Sequence, residues 1–322
     1  EGKHVNSFKD DIKDLFNVNL HKLLLTLPLA GILTFSILPL LFMILQAFTN
    51  YSDVNNKLIK FEWTGFDAFK QVLSLEGTIG KQFWSVLLWT VIWAIFATVL
   101  NYIFGMILAL VINRKGTRCK AMWRFFFILS IAIPQFVSLL IVRTLLNDNG
   151  AINMALMDWG WIKEPLPFWT DATWARVTVI IVNCWVGIPY TMLTMTGILQ
   201  NIPADLYEAA RVDGANAIVT FFKITLPYML FVTMPSLITT FTGNINNFNV
   251  IYLLSGGGPN TTIGNTAGKT DLLVTWLYKL TIDRQEYNIG AVIGIFTFVV
   301  LAIVSLVTYR NTNSYKDEEG FQ

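Results

Sequence analysis

Six stretches of this chain are long and apolar enough to dictate its class before any motif is considered. They lie at about 23–48, 86–112, 123–146, 174–199, 228–254 and 289–309. A helix needs about 20 mostly apolar residues to cross the hydrocarbon layer of a bilayer, so each run predicts a membrane span. The expected fold class is all-α, a polytopic membrane protein with six transmembrane helices. Composition agrees: hydrophobic residues make up 54% of the chain and charged residues 14%, and the mean hydropathy is +0.54. The first run is too long for the core of a signal peptide and carries no evident cleavage site. A bend is expected in it near Pro28 or Pro39.

Charge orients the spans. Between the second and third, Asn113-Arg-Lys-Gly-Thr-Arg-Cys-Lys120 and Arg124 supply five basic residues and no acid, which the positive-inside rule places in the cytoplasm. The next loop outward carries Asp148, Asp158, Glu164 and Asp171 against Lys163 alone. Its Trp159, Trp161, Trp169 and nearby Trp174 read as an interfacial belt, with a partner surface or a sugar-stacking platform as the sharper alternative. A transmembrane domain of 23–310 is therefore expected between two cytoplasmic tails, 1–22 and 311–322. The formal net charge of +2 gives no case for nucleic acid. Cys119 and Cys184 fall in a basic loop and an apolar run, so neither a disulfide nor a metal site is expected. His4 and His21 are the only histidines, which excludes a histidine-based site within the membrane.

One polar interruption reads as ordered structure: 201–227, NIPADLYEAARVDGANAIVTFFKITLP. Asp205-Leu-Tyr-Glu208 has the spacing of a capping box, and Ala209 and Ala210 favour helix. Gly214, after Asp213, can take the left-handed conformation that ends a helix. A second short helix, about 215–226, would then be stopped or kinked by Pro227. Such a pair suits a docking element on a membrane surface, or a surface loop that is merely helical. By contrast, Gly264-Asn-Thr-Ala-Gly268-Lys269-Thr270 imitates a phosphate-binding loop with one residue too few between its glycines. It also falls on the outward side and follows no strand, so no nucleotide site is assigned.

Polar side chains inside spans are costly and mark candidate sites. Asn183, Gly187 and Tyr190 recur at i, i+4, i+7 in the fourth span, and Thr240, Asn244 and Asn247 do so in the fifth, beside Gly243. At that spacing each set shares one helical face. Amides, hydroxyls and an aromatic ring without charge suit a neutral, hydroxyl-rich substrate. Simple helix–helix packing is the other reading.

Glu208-Ala-Ala210, then Gly214, then Ile224-x-Leu226-Pro227 resembles the EAA signature of ATP-binding-cassette importer permeases. From Asn183 onward the chain resembles the larger maltose/maltodextrin permease subunit. The segments that carry this are Asn183-Cys-Trp-Val-Gly187-Ile-Pro-Tyr190, Asn244-Ile-Asn-Asn247-Phe, Gly256-Gly-Gly-Pro259 and Thr270-Asp-Leu-Leu273. The resemblance implies a type I importer transmembrane domain in a bacterial plasma membrane. It implies that Asp205, Glu208, Ala209, Ala210, Asp213 and Gly214 form a coupling helix seated on a separate ATPase. It further implies that Asn183, Gly187, Tyr190, Asn244 and Asn247 contact sugar, with Thr240 preserving a hydroxyl where the family's best-known member has serine. The expected partners are a second related permease, two ATPase subunits holding ATP and magnesium, an extracellular sugar-binding lipoprotein and the lipid bilayer. No cofactor, metal or catalytic residue is expected in the chain itself. Ile131 and Gln135 stand in place of tyrosine and serine contacts of that best-known member. The chain is also expected to lack extra N-terminal spans and a large external domain. Raffinose, multiple-sugar and glycerol-phosphate permeases share the EAA loop, so another cargo stays open. So, more remotely, do an ion- or proton-coupled secondary transporter, though mid-span Asp and Glu are absent, and a purely structural subunit.

Overall fold

Small residues set the crossing of two long helices. The computed structural model describes residues 22, 24–52, 62–260, 262 and 264–310; the tails read at 1–22 and 311–322 lie outside these, Lys22 apart. Helices α3 (Thr78–Asn113) and α7 (Ala172–Gln200) lie side by side. A Cβ on Gly105 would sit 2.6 Å from the Thr191 side chain, and one on Gly187 would sit 2.4 Å from Nδ2 of Asn101. The glycines let each helix receive a side chain of the other, the small-residue packing by which helices associate in lipid. Residues 101 and 105 meet 187 and 191 in the same order, so α3 and α7 run parallel.

The 36 residues of α3 rise about 54 Å at 1.5 Å each, far more than the hydrocarbon thickness. It starts at Thr78, ahead of the run expected from Val86, because a polar and aromatic turn precedes the apolar stretch. Helix α1 (Leu24–Gln46) widens into a π-helical turn over Leu33–Ile37 immediately before Pro39. That turn accommodates the ring and the missing N–H. After the short α2 (Asp67–Leu73) and the long α3 come α4 (Lys120–Ala132) and α5 (Gln135–Leu145). The single span expected over 123–146 is broken here, the two helices meeting at 88°. Pro134 is the cause: the residue before proline is pushed to extended backbone, and Ile133 has φ −77° and ψ 128°.

Short α6 (Ala151–Asp158) and α8 (Ala204–Val212) flank α7. Helix α9 runs over Ala217–Leu254, with a π turn at Phe221–Thr225 and a break at Asn246 and Asn247. Pro227 does not stop it; the π turn absorbs the proline, as before Pro39. Helices α10 (Leu273–Tyr278) and α11 (Tyr287–Arg310) complete the chain. Among the described residues five helices are long and apolar enough to cross a membrane, six if α4 and α5 count as one span. The only strand-like pairing among them is a single bridge between Thr49 and Trp63.

Three buried clusters follow α3 from end to end. Phe83 packs with Trp276 and Val292, Trp89 and Trp93 with Val179 and Val250, and Met106 and Ile112 with Met195 and Met229. None of the most apolar window of α1 is buried within the chain. That surface suits lipid or a neighbouring subunit.

Candidate functional site

The six residues expected to meet a substrate occupy different environments. Asn183 is buried on α7, and its Nδ2 has no hydrogen-bond partner among the described residues; the same holds for Oδ1 of Asn101 on α3. Gly187, one turn further along α7, is filled by the Asn101 amide. Gly187 therefore faces α3, and Asn183, one turn earlier, lies on the same side of α7. Asn244 faces α3 too: its Nδ2 donates to Thr98 Oγ1 at 3.0 Å, and its backbone carbonyl accepts from Trp93 Nε1 at 3.0 Å.

Thr240, Asn244 and Asn247 do not share one continuous helical face. The helix ends at Ile245, and Asn247 caps the segment that follows, accepting from the Val250 N–H at 3.4 Å. Asparagine side chains compete with the helical ladder for backbone groups, which favours such a break. The Asn247 amide also reaches Asn244 Oδ1 at 3.5 Å. Thr240 is exposed, and its hydroxyl donates back to the Ser236 carbonyl at 2.9 Å.

Tyr190 stands apart, 66% exposed. It borders a cavity of about 300 Å³ that the α4–α5 bend opens beside α7. Ser130, Ile131, Gln135, Ser138 and Trp185 line it too, and no charged residue does. Ile131 and Gln135, the two departures noted in the sequence, thus share one space with Tyr190. Ser130, Ser138 and Trp185 are additions from the structure. A serine on each side of Ile131-Ala-Ile-Pro134-Gln135 was the available signal.

At the far end of the molecule the 201–227 loop forms a helical bracket. Pro203 occupies the N-cap of α8 without a side-chain cap bond, which places Asp205 inside the first turn and not at a capping box. There its carboxylate still favours the helix N-terminus. Gly214 has φ +75°, the left-handed cap expected of it. Its N–H donates to Arg211 O at 3.1 Å, and that of Ala215 to Ala210 O at 2.9 Å, the paired bonds of a Schellman ending. Asn216 then caps α9 by accepting from the Val219 N–H at 2.9 Å.

Ala210 is buried, while Glu208, Ala209, Asp213 and Gly214 are exposed. Tyr207 Oη and Thr225 Oγ1, 3.1 Å apart, tie α8 to α9. Ile202 and Tyr207 pack with Met195, Met229 and the ends of the long helices. The bracket is thus fixed to the helical frame on one side and presents a charged, low-relief face on the other. Glu208 and Arg211 border a cavity of about 580 Å³ that Arg114 and Lys115 of the basic loop also line.

The pseudo-phosphate loop has another use. Thr270 is buried, its hydroxyl donating to Gly258 O at 2.6 Å. The neighbouring Asp271 is buried and bonds Lys279 Nζ at 2.7 Å, the Gly268 N–H at 2.7 Å and Thr275 Oγ1 at 2.9 Å. Burial pushes the Asp271 carboxyl above the ordinary carboxylate value, and Lys279 opposes that rise. This ion pair joins residues eight apart, not the i, i+3 or i, i+4 spacing of helix neighbours, and had no sequence signal.

An all-helical frame, an uncharged cavity among the spans and a helical bracket fixed to their ends define a multi-pass membrane transport subunit. The profile of the family described as "Binding-protein-dependent transport system inner membrane component" matches residues 101–314, and the chain belongs to that family. It is 40% identical to the galactooligosaccharides transport system permease protein GanP of Bacillus subtilis (strain 168), over 99% of this chain and 76% of that one. It is 36% identical to the maltodextrin transport system permease protein MalC of Streptococcus pneumoniae serotype 4, over 97% of this chain and 74% of that one. Its fold matches a crystal structure of a bacterial alginate ABC transporter in complex with alginate pentasaccharide-bound periplasmic protein. The TM-score is 0.70 at 24% identity, covering 92% of this chain and 94% of that one. The protein is a transport component of an inner membrane, multi-pass and of the ABC importer transmembrane fold.

Proposed function

We propose that this subunit carries maltose- or maltodextrin-like oligosaccharides through the membrane by alternating access. The observation that carries the reading is the cavity of Ser130, Gln135, Ser138, Trp185 and Tyr190, which offers hydroxyls, an amide and two aromatic rings and no charge. Sugar hydroxyls both donate and accept hydrogen bonds, as amides and hydroxyls do, and sugar faces lie well against rings. Asn183, Gly187, Thr240, Asn244 and Asn247 belong to the same pathway in this reading, entering it as the helices rearrange. The relatives that transport maltodextrin and galacto-oligosaccharides support the substrate class.

The chain binds no cofactor of its own. Two ATPase subunits hold ATP and magnesium, a second related permease completes the membrane pore, and an extracellular binding lipoprotein delivers sugar. The face of α8 around Asp205, Glu208, Ala209, Asp213 and Gly214, with Ala210 anchoring it from beneath, is the coupling surface for one ATPase. Both termini lie in the cytoplasm. ATP-driven closure of the ATPases pushes this bracket as a lever and rocks the helices fixed to it.

Uptake of labelled maltotriose into proteoliposomes holding the whole complex tests the proposal. Uptake should require ATP and binding protein, and should fall with Tyr190→Ala or Gln135→Leu while the complex still assembles. Equal uptake by both variants would remove the cavity from the pathway. Uptake of a galacto-oligosaccharide in place of maltotriose would keep the pathway and change the cargo.

A further inference from the structure

A third cavity, of about 280 Å³, lies at the opposite end of the molecule from the coupling bracket. It is formed where the first turns of α3 and α7 meet the segment before α10. Unlike the cavity at Tyr190, it is charged. Lys81, Arg176 and Lys269 line it, with Asp271 as the single acid.

That acid is already engaged. Its two oxygens take Lys279, the Gly268 N–H and the Thr275 hydroxyl. Among the described residues no carboxylate pairs with Lys81, Arg176 or Lys269. Three cations thus converge with one carboxylate between them, and a fourth cation outside the lining neutralises it. Such convergence costs energy through like-charge repulsion unless an anion relieves it.

The site is also rigid. Arg176 lies over the Trp89 ring, 4.6 Å from its centroid, and its Nε donates to the Lys269 backbone carbonyl at 2.8 Å. Those contacts orient the guanidinium and leave its two terminal nitrogens for a ligand. Gln82 holds the opposite wall, its Oε1 accepting from the Thr266 and Ala267 N–H groups at 2.7 and 3.0 Å. A fixed guanidinium beside two ammonium groups matches a carboxylate.

We infer that this cavity receives an acidic side chain of the extracellular binding protein and seats it on the subunit. The inference rests on the proposed import of a neutral sugar, which leaves the cargo no charge to place here. It also rests on the outward position of this end, opposite the bracket. A carboxylate offered by the docking partner supplies the missing charge.

The test uses the assembled complex in nanodiscs and its purified binding protein loaded with maltotriose, reading ATPase rate against binding-protein concentration. Lys81→Glu with Lys269→Glu should raise the half-saturating concentration about tenfold or more, with a maximal rate close to the parent's. Arg176→Gln should do the same more weakly. Salt should weaken the parent's half-saturation more than the double variant's. An Asp→Lys or Glu→Lys change on the binding protein should recover affinity for the double variant. Unchanged half-saturation overturns the inference. So does a shift that appears only in nanodiscs containing phosphatidylglycerol, which assigns the cavity to a lipid phosphate, or one reproduced by adding free acetate. Silence of the unmodified complex at saturating binding protein counts against the import reading, since the docking readout needs that activity first.

Discussion

The Asn101 amide occupies the space that a side chain on Gly187 would need, 2.4 Å from an ideal Cβ there. Glycine at 187 is thus required by α3, whatever else it does in transport. Gly187→Ala should destabilise the protein by about 1–3 kcal/mol through overpacking, read as a lower melting temperature of the purified complex. Asn101→Ala combined with Gly187→Ala should recover part of that loss. Strictly additive losses in the double-mutant cycle would show that the two residues do not meet.

Thr98, also on α3, holds Asn244 by a buried hydrogen bond of 3.0 Å. Thr98→Val strands the Asn244 amide N–H, at a cost of about 1–3 kcal/mol. With Asn244 in the sugar pathway, the variant should also need more sugar for half-maximal uptake. Melting and uptake measured on one preparation separate the two effects.

Gly214 has open space around it, so a substitution there is strained by backbone alone. Gly214→Ala should cost about 1–2 kcal/mol for a left-handed residue and loosen the turn that sets the angle between α8 and α9. The expected result is a folded complex whose ATP hydrolysis no longer tracks uptake. Uptake and hydrolysis falling in strict proportion would count against a lever at this turn.

Asp271 and Lys279 should give a pH signature. The folded carboxyl has a raised pKa because burial disfavours its charge, so its contribution to stability is fullest when protonated and is lost as pH rises through that pKa. Lys279 limits the rise. Lys279→Met should therefore cost about 3–5 kcal/mol with Asp271 ionised, and the deficit should shrink as acid protonates the orphaned carboxyl. Thermal melts of parent and variant from pH 4 to pH 8 check this. A gap that stays constant would mean that Asp271 is not the group responsible.

The apolar runs, the left-handed Gly214 and the class of protein were legible because each is a local signal: run length, a residue that tolerates positive φ, a spaced motif. The 88° turn at Pro134 was not. Proline can kink a helix, break it or be absorbed by a π turn, and only packing decides which. This chain shows two of these outcomes, a break at Pro134 and absorption at Pro39 and Pro227. The environments of Asn183 and Asn244 were equally hidden. Helical spacing places residues on a face, but Thr98, the partner of Asn244, lies 146 residues away in the chain, and Asn101, which fills the space beside Gly187, lies 86 residues away. Asp205 fits a capping-box pattern, yet Pro203 starts the helix earlier and moves it inside.

The most direct test of transport of a neutral oligosaccharide coupled through α8 is sugar-stimulated ATPase activity of the assembled complex in nanodiscs with its binding protein. Maltotriose, longer maltodextrins, a galacto-oligosaccharide and raffinose would be compared, with Glu208→Ala as the uncoupled control. The account predicts strong stimulation by maltodextrins that Glu208→Ala abolishes. Stimulation by none of the sugars in a demonstrably assembled complex, or full stimulation in Glu208→Ala, would contradict it.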